Sequence, residues 1–202
     1  MASRWEKPVL DQVLRNLDAQ AIGGRFIRAS KLDSRLFDSR PECHAEPTAS
    51  AIRKVYECLR QMACSAGRLK EDIPLVKNWR LTGDIFSPKL QRFIEVDECQ
   101  HFSAVRLARL VENRSMPWAP LYSEHFWIEV FPKLQAKPFR DLDPPHRDEA
   151  RAYRDELREW LPVVYGLGRT IRLDEFTLQE TGLDHVTDLI HRILETEAVD
   201  GH

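Results

Sequence analysis

The stretch Gly83-Asp84-Ile85-Phe86-Ser87-Pro88-Lys89-Leu90-Gln91-Arg92-Phe93-Ile94-Glu95-Val96-Asp97-Glu98-Cys99-Gln100-His101 decides the fold. It predicts two short strands joined by a Ser-Pro-Lys turn. Phe93, Ile94 and Val96 mark a buried strand, and Glu95 and Asp97 interrupt it with charge. Side chains alternate along a strand, so Glu95 and Asp97 share a face. Asp84 lies on the partner strand, across a hairpin short enough to bring it beside Glu95. Buried carboxylates without a partner are costly, so three on one face need a counter-cation. No Lys or Arg falls inside the second strand to serve. A divalent metal held by hard oxygen ligands is the simplest answer.

Outward from the hairpin, helical spacing dominates. Residues 48–66 place Ile52, Val55, Tyr56, Leu59, Met62 and Ala63 on one stripe, with Thr48 or Ser50 as cap and Gly67 as stop. Residues 72–80 read as a first strand. Residues 102–113 return to helical spacing, and His101 stands at the strand-to-helix junction. Tyr122–Phe131 reads as a strand or a packed loop. Its aromatic side chains suit either a stacking wall for nucleic acid or, more plainly, a cover for one flank of the core.

Residues 143–161 form a helix, with Asp143 as cap and Pro144-Pro145 in the first turn. Arg147, Arg151, Arg154 and Arg158 line one face of it. They can follow a phosphate backbone, but the surrounding acids make intrahelical ion pairs the plainer use. Residues 170–176 read as a final strand and 183–196 as a closing helix. Residues 5–20 form an opening helix ended by Gly23-Gly24, and residues 24–47 are mixed, with a loop around Glu42-Cys43-His44.

The chain has 202 residues, enough for one sizeable domain. Residues 1–140 carry 23 Lys+Arg against 17 Asp+Glu, and residues 141–202 carry 7 against 15. A mildly basic body with an acidic tail is compatible with nucleic-acid binding and does not demand it. No apolar run is long enough to span a membrane, and the first residues lack an apolar signal core, so a cytoplasmic protein is expected. Cys43, Cys58, Cys64 and Cys99 form no C-x-x-C pair and are expected as free thiols. A zinc site built on Cys43 and His44 is an alternative use of two of these residues.

The order helix, acidic hairpin, helix, strand, together with "GDIFSPKLQRFIEVDECQHF", resembles the central motif of the PD-(D/E)XK nuclease superfamily. It is most similar to the branch of very-short-patch-repair-like endonucleases, whose pattern is an Asp, a short span, then hydrophobic-Glu-Val-Asp-Gly-x-x-His. The resemblance covers roughly residues 48–175, with its specificity concentrated in the hairpin. It implies an α/β, restriction-endonuclease-like mixed sheet flanked by helices, with extra N- and C-terminal helices. The domain plan is an extension over 1–47, a nuclease-like core over 48–177 and a C-terminal helix over 178–202.

The resemblance further implies Mg²⁺ (or Mn²⁺) held by Asp84, Glu95 and the backbone carbonyl of Val96. Asp97 stands where most of the superfamily carries Lys. Gln100 and His101 match the polar end of the motif, so Asp84, Glu95, Asp97, Gln100 and His101 are the expected catalytic set. The sequence departs from the pattern at Ile52, where the family has a helical Glu, and at Glu98, where it has Gly. The expected function is metal-dependent endonucleolytic hydrolysis of DNA. The alternative is a catalytically degenerate nuclease fold that binds DNA or a protein, as a homodimer or as a partner in a defence or mobile-element system. A third reading is an unrelated α/β binding protein whose acids form structural ion pairs.

Overall fold

The computed structural model describes residues 5–17, 20–21 and 32–200. Its centre is the expected hairpin. Strand β2 (Ile85–Ser87) pairs antiparallel with β3 (Arg92–Asp97), in a register that sets Ile85 opposite Ile94. Ser87 Oγ closes the turn by accepting from the Leu90 N–H at 3.2 Å. A two-residue strand, β1 (Gln20–Ala21), flanks β2 antiparallel, and β4 (Ile171–Asp174) lies parallel to β3. The sheet is therefore mixed, in the order β1-β2-β3-β4.

The period of two along β3 separates an apolar face from a charged one. Ile94 and Val96 join Ile85, Ile171 and Leu173 in a core completed by α1 (Glu6–Leu17) and α7 (Val186–Asp200). Val9 and Val13 of α1 are fully buried there, so the described part of residues 1–47 is built into the core and not set apart from it. The expected stop at Gly23-Gly24 lies outside the described residues. On the opposite face, Phe93 packs with α2 (Thr48–Ser65) and α5 (Arg147–Val164). Ile52 is fully buried in that core.

Helix α2 ends as its sequence predicts. Gly67 takes φ +66°, and Arg68 N–H returns to the Ala63 carbonyl at 2.8 Å. Its start differs: the Glu46 carboxylate, not Thr48 or Ser50, accepts from the Ser50 N–H at 3.0 Å. Helix α5 likewise starts without a side-chain cap, at His146 and not Asp143.

Two segments differ from expectation, the strand expected over 72–80 and the strand or packed loop expected over Tyr122–Phe131. Residues 72–80 form a loop tied to residues 37–39 by the backbone, with Ser39 N–H on the Trp79 carbonyl at 2.8 Å and Leu81 N–H on the Phe37 carbonyl at 2.9 Å. Leu75 and Val76 are buried side by side in the core while Lys77 and Asn78 are exposed, so burial along this segment does not alternate as a strand face would, and Pro74 removes a ladder donor. Tyr122 and Ser123 are irregular and residues 124–131 are helical, with a π-helical turn (Phe126–Val130) running into α4 (Phe131–Ala136). Phe102, Tyr122, Phe126 and Phe131 pack there against Leu107 and Leu110 of α3 (Ala104–Glu112), so these rings cover the core. The final strand stops at Asp174, whose carboxylate accepts from Thr177 N–H at 2.8 Å and caps α6 (Glu175–Thr181).

Candidate functional site

The hairpin, α5 and β4 converge on one buried cluster of charge. Asp84 sits immediately before β2, one step beyond the Ile85–Ile94 pair and so opposite Glu95. Its backbone N–H donates to Glu95 Oε1 at 3.2 Å, and its Oδ2 accepts from the Val96 N–H at 2.8 Å. Gly83 allows this approach, since a Cβ there would stand 2.8 Å from Glu95 Oε1. The structure thus brings Asp84 and Glu95 side by side, as the hairpin pattern predicts.

The counter-cations come from elsewhere in the chain. Arg158 of α5 lies 3.1 Å from Glu95 and also bonds Asp155 one turn earlier. Arg172 of β4, directly beside Glu95 in the parallel register, donates to Asp97 at 2.6 Å and lies 2.9 Å from Glu159. Arg106 of α3 bonds Glu159, and the Tyr122 hydroxyl donates to Asp97. Examining β3 alone for a Lys or Arg therefore misses the guanidiniums that α5 and β4 supply to the same face.

The cluster is short of positive charge. Asp84, Glu95, Asp97, Asp155 and Glu159 face three guanidiniums, those of Arg106, Arg158 and Arg172, and the His101 imidazole. The shortage falls at the hairpin. Burial pushes Glu95 up to about 8, against the pull of Arg158 and with the push of Asp84. Burial also raises Asp84. For Asp97 and Asp155 burial acts the same way, but the opposing guanidiniums and His101 win and hold both below the usual carboxylate range.

His101 lies at the rim. Its Nδ1 is 3.3 Å from Asp155 and 3.5 Å from Asp97, and its side chain is 21% exposed. Among the described residues nothing bonds its Nε2. Gln100 is turned aside: its side-chain amide donates to Glu98 at 3.0 Å, while its backbone carbonyl accepts from Arg151. The arginine row of α5 divides in the same way. Arg147 and Arg151 pair with Asp141 at 3.0 and 3.4 Å, and Arg158 is drawn into the cluster. Arg154, half-buried, has no hydrogen bond or ion pair among the described residues. Of the expected intrahelical pairs, only Arg158–Asp155 forms along this row.

Asp155, Glu159, Arg106, Arg172 and Tyr122 are the members that sequence reading missed. Arg172 carries a signal of the same kind as Glu95, a charge inside an otherwise apolar strand. Asp155 and Glu159 alternate with core positions Tyr153 and Leu157, and only the packing of α5 on the sheet separates them from surface acids. The zinc alternative fails, because His44 is buried with both ring nitrogens engaged, at 2.8 Å from the Tyr165 hydroxyl and 2.8 Å from the Asp38 carbonyl.

Asp84 and Glu95 are hard oxygen donors with unbalanced charge, which suits Mg²⁺ or Mn²⁺. Among the described residues no three His, Cys, Asp or Glu side chains gather as a metal set. A metal here would rest on these two carboxylates and the Val96 carbonyl, and Arg158 would have to yield part of its hold on Glu95. No family model, curated protein or solved structure matches the chain. Among the described residues no helix is long and apolar enough to cross a membrane.

Proposed function

We propose that this chain is a metal-dependent endonuclease that hydrolyses phosphodiester bonds in DNA, on a restriction-endonuclease-like variant of its mixed sheet. The observation that carries the reading is the Asp84–Glu95 pair on adjacent antiparallel strands, with more negative charge than the neighbouring guanidiniums balance. The order α2, β2–β3, α3 and, after the two further helices α4 and α5, β4 supports it as well.

Bound Mg²⁺ would neutralise charge developing on the phosphate and polarise a water. The chain's own groups do the rest. Asp84 and Glu95 would hold the cation, and a protonated Glu95 would give up its proton to do so. Asp97 and Asp155 hold His101 by Nδ1 and leave Nε2 toward solvent, the arrangement of an oriented general acid or base. Asp97 itself is committed to Arg172 and Tyr122, so it serves as a positioning residue.

The Arg158–Glu95 contact favours a second reading, a nuclease-like module that binds DNA or a protein without catalysis. Incubation of plasmid with the protein and Mg²⁺ or Mn²⁺ separates the two. The endonuclease reading expects nicking by the wild type and none by Asp84→Ala or Glu95→Ala. An intact plasmid with wild-type protein, alongside DNA binding in the presence of a chelator, supports the second.

A further inference from the structure

We propose that the groove of about 520 Å³ between the 34–40 and 77–80 segments seats the phosphate backbone of the nucleic acid; this rests on the nuclease reading of the hairpin. Arg40, Lys77, Asn78 and Arg80 line it, with ring surface from Phe37 and Trp79. Asp38 is the one acid in the lining, and both its oxygens are taken by Arg40, at 2.9 and 2.5 Å. Lys77 and Arg80 are exposed, and among the described residues no acid bonds their side chains. Two uncompensated cations beside a guanidinium and an amide form a surface that attracts a polyanion and offers donors to its oxygens.

The groove is preformed. Besides the two backbone bonds between its walls, Ser39 Oγ donates to the Trp79 carbonyl at 2.6 Å, and Trp79 is backed by the Tyr56 ring with centroids 5.4 Å apart. It also adjoins the acidic hairpin across one side chain. Phe37 lines both this groove and the small cavity formed by Gly83, Glu95 and Arg158. A strand lying along Lys77 and Arg80 would end beside Phe37, the residue that separates the groove from Glu95. The loop that failed to become a strand supplies both free cations.

The test is fluorescence anisotropy of a labelled DNA duplex titrated with wild-type protein and with the double variant Lys77→Ala/Arg80→Ala, in EDTA across a salt series. Removing two phosphate contacts should weaken binding about tenfold and lower the slope of log K against log salt by about 2. Thermal unfolding should be unchanged, since both side chains are exposed. Wild-type affinity and slope in the double variant would overturn the assignment, as would absence of wild-type binding to the duplex. Capture of polyglutamate in preference to the duplex would also overturn it, in favour of an acidic protein partner. Because EDTA removes catalysis from the readout, loss of plasmid cleavage with this binding intact defeats the nuclease reading alone.

Discussion

Arg158 Nη1 lies 3.1 Å from Glu95 Oε2, and the same guanidinium bonds Asp155, so one helical cation holds two buried carboxylates from different elements. A buried ion pair broken on one side leaves an uncompensated charge, which typically costs 3–5 kcal/mol. Arg158→Met should therefore destabilise the chain by about 3–5 kcal/mol in urea unfolding. The double variant Arg158→Met/Glu95→Gln should recover part of that loss. A cost below about 1 kcal/mol for Arg158→Met would mean that the guanidinium is not sealed against these acids in solution.

The hairpin should also set the pH dependence of stability. Glu95, pushed up to about 8 by burial, holds its proton more tightly in the folded than in the unfolded chain. Its contribution is present in acid and is lost as pH rises through about 8. Asp97 and Asp155, held low, act in the opposite sense: their contribution is present near neutrality and lost as pH falls through their folded-state values. Thermal unfolding should therefore show stability declining from about pH 5 to pH 8, by up to ~1.4 kcal/mol per pH unit. Glu95→Gln, neutral at every pH, should flatten that decline. Parallel profiles for the two proteins would count against a strained Glu95.

His101 separates a catalytic cluster from a merely structural one. With its Nδ1 between Asp155 and Asp97, His101 helps hold both buried carboxylates ionised, so His101→Gln should lower the unfolding temperature modestly. It should lower DNA hydrolysis by about 10²–10⁴-fold and remove one limb of the pH–rate profile. Hydrolysis at the wild-type rate would remove His101 from the machinery.

The hairpin was legible because its local signals agree. Alternation put Glu95 and Asp97 on one face, and a short turn brought Asp84 opposite Glu95. Helices α2 and α5 followed from their apolar stripes, although their caps did not, since Glu46 reaches in from outside the expected cap positions. The strand expected over 72–80 and the strand or loop over 122–131 failed because short apolar runs broken by Pro or rich in aromatic residues carry no clear period. The cations of the site were illegible for a different reason. Arg158 and Arg172 lie 63 and 77 positions beyond Glu95, and only the parallel placement of β4 and the packing of α5 bring them to it.

The proposed divalent cation would meet the shortage of positive charge at Asp84 and Glu95. Calorimetric titration with Mn²⁺ tests it most directly. The account predicts one saturable site per chain, with proton release on binding and affinity that rises from pH 6.5 toward pH 8.5 as Glu95 ionises. It also predicts loss of that site in both Asp84→Ala and Glu95→Ala. No saturable heat with the wild type, or the same binding in both variants, would contradict it and leave the cluster as a set of structural ion pairs.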